Sequence, residues 1–163
     1  MVDIRKVKDD DKSHVRTLEL FCIREYLESS LQKKWDDLPS ELIEQLGASA
    51  KDSFEFYRDT GLSYVAVEKG QVVGFLFSQI IEHVNNIDKV LWIDNVGVHP
   101  DHRRKGVGLK LLRRASIDAK KKGAKAVQSV LMPDSKNAVM LHKKAGFFLD
   151  GRKFAFLDLE NFE

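Results

Sequence analysis

A basic loop that contains two glycines is the part of this sequence whose residue types could do chemistry. The loop consists of Arg103, Arg104, Lys105, Gly106, Val107 and Gly108, and leucines at helical spacing follow it. A helix that begins directly after such a loop points several unpaired backbone N–H groups, and the positive end of its dipole, at one spot. Because glycine lacks a Cβ atom, an anion can approach the backbone closely there. The sequence therefore predicts a binding site for a diphosphate group.

The loop needs a strand before it and a helix after it to hold it in place. The segment from Leu91 to Val98 is apolar and β-branched, which indicates a buried strand, and Pro100 ends it. Basic loops with glycines also join strands to solvated helices without binding anything. The loop alone does not decide between these interpretations, so its context must.

The segment from Ser135 to Phe147, with the sequence SKNAVMLHKKAGF, supplies that context. Together with the loop it resembles the GNAT superfamily of acyl-coenzyme A-dependent N-acetyltransferases. Arg103, Gly106 and Gly108 match that family's R/Q-x-x-G-x-G/A motif, and Ala138, Leu141, Gly146 and Phe147 match its later pattern. Two positions depart from the pattern, since Ser135 stands where the family often has Asn and His142 where it usually has Tyr.

The resemblance implies an α/β (α+β) fold with a single domain over residues 1–163. In the family, a mixed and mostly antiparallel central sheet is flanked by helices and splays between its fourth and fifth strands, here Leu91 to Val98 and Ala126 to Leu131. It also implies acetyl-coenzyme A as cosubstrate. The backbone of Val96 and Val98 would pair with its pantetheine arm, and residues 103–108 would hold its pyrophosphate. Asn137 would contact the cofactor or only cap a helix.

Acetyl transfer to an amine requires a proton acceptor, a donor for the oxyanion and an acid for the departing thiolate. The family commonly uses a carboxylate as base, which makes Asp94 the first candidate here and Glu82 the second. Asp94 could instead be solvated or hydrogen-bonded at a bulge, and Glu82 could be a surface residue at a strand end. His142, in the tyrosine position, is the candidate acid because imidazole has a pKa near 6.5. It could also only pack against the cofactor.

Composition narrows the classes of function. With 163 residues and 43% hydrophobic content, one domain with a proper core is expected. The net charge is +2, and aromatic residues are not interleaved with the basic stretch, so nucleic acid is not an expected partner. The single cysteine, Cys22, excludes an intramolecular disulfide, and the histidines lack metal-ligand spacing, so no metal is expected. Without a long apolar run or a signal peptide, we expect a cytoplasmic protein that does not bind membranes.

The remaining segments predict the elements that surround this centre. Val2 to Val7 predicts a strand, and a helix follows with Val15, Leu18, Phe21, Cys22, Glu25 and Tyr26 on one face. A second helix is predicted from Pro39 and Ser40 to Gly47. Hairpins are predicted around Lys69–Gly70 and Asp150–Gly151, and a polar turn over residues 83–88.

These observations predict an acetyl-coenzyme A-dependent N-acetyltransferase. The resemblance implies that a primary amine of a small molecule, or of a protein or peptide, attacks the thioester directly, which suits the lack of any cysteine near the motifs. The alternative is a non-catalytic acyl-coenzyme A-binding regulatory module of the same fold, and a third is an unrelated binder of nucleotide phosphates. Dimerisation is common in the superfamily, so a homodimer is compatible with the resemblance.

Overall fold

A five-stranded sheet organises the fold of the computed structural model, which describes residues 1–29, 32, 34–41, 53–132, 134–155, 157, 159 and 162. The strands are β1 (Asp3–Lys6), β2 (Tyr64–Glu68), β3 (Gln71–Val84), β4 (Ile87–Val98) and β5 (Ala126–Ser129). The helices are α1 (Lys12–Ser29), α2 (residues 53–60), α3 (Val107–Lys121) and α4 (Lys136–Lys144). The strand order is β1-β2-β3-β4-β5, antiparallel except for the parallel pair β4–β5. The predicted mixed, mostly antiparallel sheet is confirmed.

The sheet has an apolar core on each face, because its inner strands carry large side chains on both sides. On one face, Leu111 and Leu112 of α3 pack with Leu91 and Ile93 of β4. On the other face, α1 and α2 pack over β3 through Val15, Leu18, Phe54, Phe75 and Phe77. Within the described ranges, no helix has the length and apolar character needed to span a membrane.

Two turn predictions had different outcomes. The polar turn predicted over residues 83–88 is present but shorter, because β3 continues to Val84 and β4 begins at Ile87. Asn85 and Asn86 alone connect them, with φ of 53° and 62°, the left-handed conformation that a two-residue hairpin requires and that asparagine tolerates. The C-terminal hairpin is not formed in the described part of the chain, since residues 147–155 contain no strand and Phe154 is exposed.

The helix predictions had mixed outcomes. Helix α1 forms as expected, but Phe21 is 45% exposed and is not part of its buried face. Ser40 and Glu41 are helical as predicted. The rest of that second helix, residues 42–47, lies outside the described residues.

Helix α1 approaches β4 closely at Gly97. A Cβ atom built on Gly97 would lie 2.5 Å from Phe75 Cε1 and 3.1 Å from Cys22 Sγ of α1. Phe75 is fully buried and cannot turn away. The missing side chain at position 97 therefore sets how near α1 lies to β4.

We expect Gly97→Ala to destabilise the protein by about 1–3 kcal/mol, because the added methyl group overpacks a rigid core. Urea unfolding measures the change. Gly151→Ala is the matched control, since a Cβ atom at Gly151 meets nothing within 4 Å, and its effect should stay within about 0.5 kcal/mol. Equal stability of the two variants would contradict the close approach.

Candidate functional site

Strands β4 and β5 part before β4 ends. Residues Val90 to Ile93 pair with Ala126 to Ser129, and β4 then runs on to Val98 with no β5 partner. The amide of His99 donates to Val73 O of β3 at 2.8 Å. Because backbone groups alternate along a strand, those of Val98 and Val96 face the opposite, open edge. The parted sheet thus exposes the backbone groups that the sequence predicted for a ligand.

Arg103 already uses part of this open edge. Its Nε donates to Val98 O at 2.9 Å, and its guanidinium forms an ion pair with Glu25 of α1. The side chain is only partly exposed. Arg103 therefore ties the basic loop to α1 and covers one acceptor of the open edge.

The rest of the loop leads into α3 as the sequence predicted. Gly106 has φ of 79°, which favours glycine, and stands at the N-cap of α3 without a side-chain capping bond. The first helical bond of this turn is from Lys110 N to Gly106 O at 3.0 Å, so the earlier N–H groups are left for an anion. Arg104 and Lys105 are exposed beside them and form no ion pair with a described residue.

Gly108 has a packing role besides the cofactor contact that its motif suggests, which stays a prediction. It is buried with Val107 in the first turn of α3. A Cβ atom there would lie 2.8 Å from Leu141 Cδ2 of α4. Its missing side chain therefore makes room for α4, while Gly106 is the exposed glycine of the loop.

A bulge in β4 turns two polar residues towards α1 and α2. The register between β3 and β4 shifts at Phe77/Ser78, where Phe77 faces Asn95 and Ser78 faces Ile93. Asp94 is the extra residue of this bulge and is exposed. Asn95 donates from Nδ2 to Glu19 Oε1 of α1 at 2.9 Å. Asp94 thus lies beside the start of the open edge.

Glu19 is a buried carboxylate that the sequence analysis missed. The residue is 7% exposed, and in the part of the chain that the structure describes its Oε2 atom has no hydrogen-bond partner. Burial raises the pKa of Glu19, the bond from Asn95 lowers it, and the charge of Asp94 raises it again. The sequence contains an indication that Glu19 is buried, because it lies between Val15 and Cys22 at helical spacing on the apolar face of α1.

Tyr57 of α2 completes this polar group. The residue is 6% exposed, and its ring stacks on Phe77 with centroids 4.9 Å apart. Burial raises the pKa of its hydroxyl, and the Asp94 carboxylate raises it further. We call Glu19, Tyr57, Asp94 and Asn95 the acidic cluster. It faces the α1 side of the sheet, whereas Val96 and Val98 pack against the α3 core.

Glu82, the second predicted base, lies away from the open edge of β4. Glu82 is exposed near the tip of the β3–β4 hairpin, between residues that pair with Val90 and Asp88. At about 3.3 Å per residue, β4 covers roughly 16 Å between that level and Asp94. Of the two predicted bases, only Asp94 adjoins the open edge.

His142 is fully buried on α4. Its Nδ1 lies 2.8 Å from Ala138 O, its ring packs edge-on against Phe147, and Nε2 has no hydrogen-bond partner within the described ranges. Burial lowers the pKa of His142. The neutral ring with its proton on Nδ1 satisfies Ala138 O, which leaves Nε2 as an acceptor. None of these contacts supports the predicted acid role of His142, which stays a hypothesis.

Asn137 is exposed in the first turn of α4. It is not the N-cap of this helix, since Ser135 holds that position.

Comparison with known proteins agrees with this architecture. A family model described as "Protein of unknown function (DUF1999)" matches residues 2–162. The chain belongs to the DUF1999 family.

The DUF1999 chain also resembles acetyltransferases. An N-acetyltransferase of Methanocaldococcus jannaschii, described as uncharacterized, is 33% identical over 92 residues. That match covers 55% of this chain and 40% of the relative, so the chain spans well under half of the relative's length.

Solved structures show the same fold. The aminoglycoside N-acetyltransferase AAC(6')-Iy, in complex with CoA, has a TM-score of 0.72 and 21% identity, covering 98% of this chain and 95% of that one. A transcriptional regulator from Bacillus halodurans C-125 has a TM-score of 0.70 and 20% identity, covering 96% of this chain and all of that one at 100%. The GNAT fold predicted from the two motifs is confirmed.

The lowered pKa of His142 gives a prediction about stability. The unfolded chain binds a proton to this ring more readily than the folded chain, so the free energy of unfolding falls as pH drops through about 6.5. His142→Gln lacks this contribution, and its stability should fall less between pH 7.5 and pH 5.5. Urea unfolding at both pH values measures the difference. The exposed His14→Gln serves as control and should follow the wild type. Parallel losses in wild type and His142→Gln would refute the prediction.

Proposed function

We propose that this protein transfers an acetyl group from acetyl-coenzyme A to an amine. The observation that carries the proposal is the open edge of β4 beside the uncapped start of α3. Acetyl-coenzyme A has an extended thioester arm followed by a diphosphate group, so it needs an open strand edge and, next to it, a helix start. Its amides pair with unpaired strand groups, and its phosphates bind to helix N–H groups and nearby cations.

The donor half of the site consists of the basic loop and the open edge. Arg104 and Lys105 attract the phosphates, and the N–H groups that follow Gly106 bind them. Val96 offers to the pantetheine arm backbone groups that no described residue of β5 pairs with. Val98 offers its carbonyl oxygen only when Arg103 releases it, so Arg103 contributes by positioning the loop as much as by its charge.

The acceptor half is the α1–α2 side of the sheet. An amine that approaches there reaches Asp94, the predicted base that adjoins the cleft. The amine nitrogen attacks the thioester carbonyl carbon directly, and the thiolate leaves. The aminoglycoside acetyltransferase with this fold supports a small-molecule amine as acceptor, and a protein or peptide amine is the second possibility in the same class of reaction.

One observation favours a non-catalytic alternative. The position that usually holds a tyrosine is filled by His142, which is buried and has a lowered pKa. A chain that binds acyl-coenzyme A without using it would not need an acid there. The transcriptional regulator among the proteins of similar fold is consistent with that role.

Ligand binding tests the donor half. We expect acetyl-coenzyme A and coenzyme A to raise the melting temperature in a dose-dependent way, with about 2.7 kcal/mol of stabilisation at 100 times Kd. ATP and NAD should not have a comparable effect. The double variant Arg104→Ala/Lys105→Ala should need at least about tenfold more ligand, since it loses two charges next to the phosphates.

The control for this experiment is Lys120→Ala/Lys122→Ala, which removes two exposed charges from the other end of α3. It should bind acetyl-coenzyme A like the wild type. Equal weakening of both double variants would mean that net charge, and not the loop, governs binding. No stabilisation of the wild type would overturn the proposed function.

Turnover separates the enzyme from the regulatory module. Thiol release from acetyl-coenzyme A should be amine-dependent when the wild type is given a panel of alkylamines, polyamines, arylamines and lysine-containing peptides. The same assay tests the acid role of His142, because an unchanged rate in His142→Gln would exclude that role. Binding without release for every amine would favour the regulatory module.

A further inference from the structure

We propose that Glu19 binds the ammonium group of the acceptor and takes its proton, which makes alkylammonium compounds the substrate class. This inference rests on the proposed acetyl transfer and concerns its acceptor side. It assigns the role of base, which the sequence suggested for Asp94, to Glu19, a residue of α1 that lies outside both sequence motifs.

The first argument is the unpaired oxygen of Glu19. The residue is 7% exposed, Oε1 is occupied by Asn95, and Oε2 has no hydrogen-bond partner among the described residues. A buried carboxylate oxygen without a donor is costly, because desolvation is not repaid by a hydrogen bond. A bound ammonium group would supply both the missing hydrogen bond and the missing charge.

The second argument is location. Glu19 contacts β4 through Asn95, which lies two residues beyond the last β5-paired residue, Ile93, and directly before Val96. The carboxylate is therefore held against the part of β4 that begins the open edge. Asp94 is exposed beside it and offers a second negative charge towards solvent. A cation is thus attracted first to Asp94 and then to Glu19.

The third argument is the charge of the surroundings. Asp94 of β4 places a second negative charge near Glu19. The hydroxyl group of the buried Tyr57 of α2 interacts with both carboxylates, those of Asp94 and Glu19. One turn along α1, Cys22 interacts with Arg103 and Glu25, which pair with each other. The acidic cluster therefore contains two carboxylates and no cation of its own. Burial also raises the pKa of Glu19, which makes it a better proton acceptor.

The proposed step balances as follows. The acceptor's R–NH₃⁺ group gives one proton to Oε2 of Glu19 and becomes a neutral amine. Its nitrogen attacks the thioester carbonyl carbon, the C–N bond forms and the C–S bond breaks. The second N–H proton ends on the leaving sulfur, which gives the free thiol and the amide. Glu19 then releases its proton to solvent past the exposed Asp94.

The test compares alkylamines, which are cationic at neutral pH, with arylamines, which are already neutral. We expect wild-type kcat/KM at pH 7 to favour alkylamines. Glu19→Gln should lower kcat/KM for alkylamines at least about 100-fold and for arylamines much less. The loss should shrink as pH rises, because solution then supplies the neutral amine. Asp94→Asn should mainly raise KM for alkylamines.

Two further measurements keep the outcome interpretable. The melting-temperature shift with acetyl-coenzyme A should be the same in Glu19→Gln and wild type, which shows an intact donor half. Glu28→Gln, an exposed carboxylate change on the same helix, should leave turnover unchanged. Wild-type rates for alkylamines in Glu19→Gln would overturn this inference alone. Binding of acetyl-coenzyme A without turnover of any amine by the wild type would overturn the proposed enzyme together with it.

Unfolding gives a readout that does not depend on turnover. The pKa of Glu19 is raised in the folded state, so the folded chain binds more protons, and stability is lost as pH rises from the ordinary value through the raised one. Glu19→Gln avoids that loss. It should be more stable than wild type at pH 8, and the difference should narrow towards pH 4.5. A variant less stable than wild type at pH 8 would show that Glu19 is a structural group, which contradicts the proposal.

Discussion

The separation of β4 from β5 after Ile93 is the constraint on which the rest of the structure depends. A strand that loses its neighbour keeps its backbone N–H and C=O groups, and each of them must find another partner or water. In this fold the unpaired groups face a gap bordered by the loop before α3. Arg103 satisfies one of them at Val98 O, and the others are the groups that the proposed pantetheine arm would pair with.

Helix α1 links the two sides of this gap. Through Glu25 it holds Arg103 and the basic loop, and through Glu19 it contacts Asn95 at the bulge. Both contacts come from the face of α1 that packs on the sheet, although each involves a charged side chain. A helix that only covered a core would have apolar residues there. The two carboxylates indicate that α1 contributes to the site as well as to stability.

The sequence predicted what its local patterns encode. The loop, the start of α3 and the order of the strands followed from glycine, charge and hydrophobic periodicity, and the resemblance of two motifs added the splayed sheet. Glu19 was missed because its meaning depends on a partner 76 positions away, Asn95. The turn at Asn85–Asn86 was predicted, but too long, because the polar residues at the ends of β3 and β4 resemble a loop. The C-terminal hairpin was predicted around Asp150–Gly151, but Phe148 and Phe154 are exposed, since a turn signal alone does not provide a neighbouring strand.

The close packing at Gly97 makes the position of α1, and with it of Glu19 and Glu25, depend on a residue that takes no part in the proposed chemistry. Any side chain there would press on Phe75 and Cys22 and lift α1 from the sheet. Glu19 and Glu25 lie one turn before and one turn after Cys22, so they would move away from their partners together. On the proposed function, efforts to evolve a new acceptor range by remodelling α1 would therefore disturb the cofactor loop at the same time. Library designs that keep positions 22 and 97 fixed and vary the outer face of the helix would avoid that coupling.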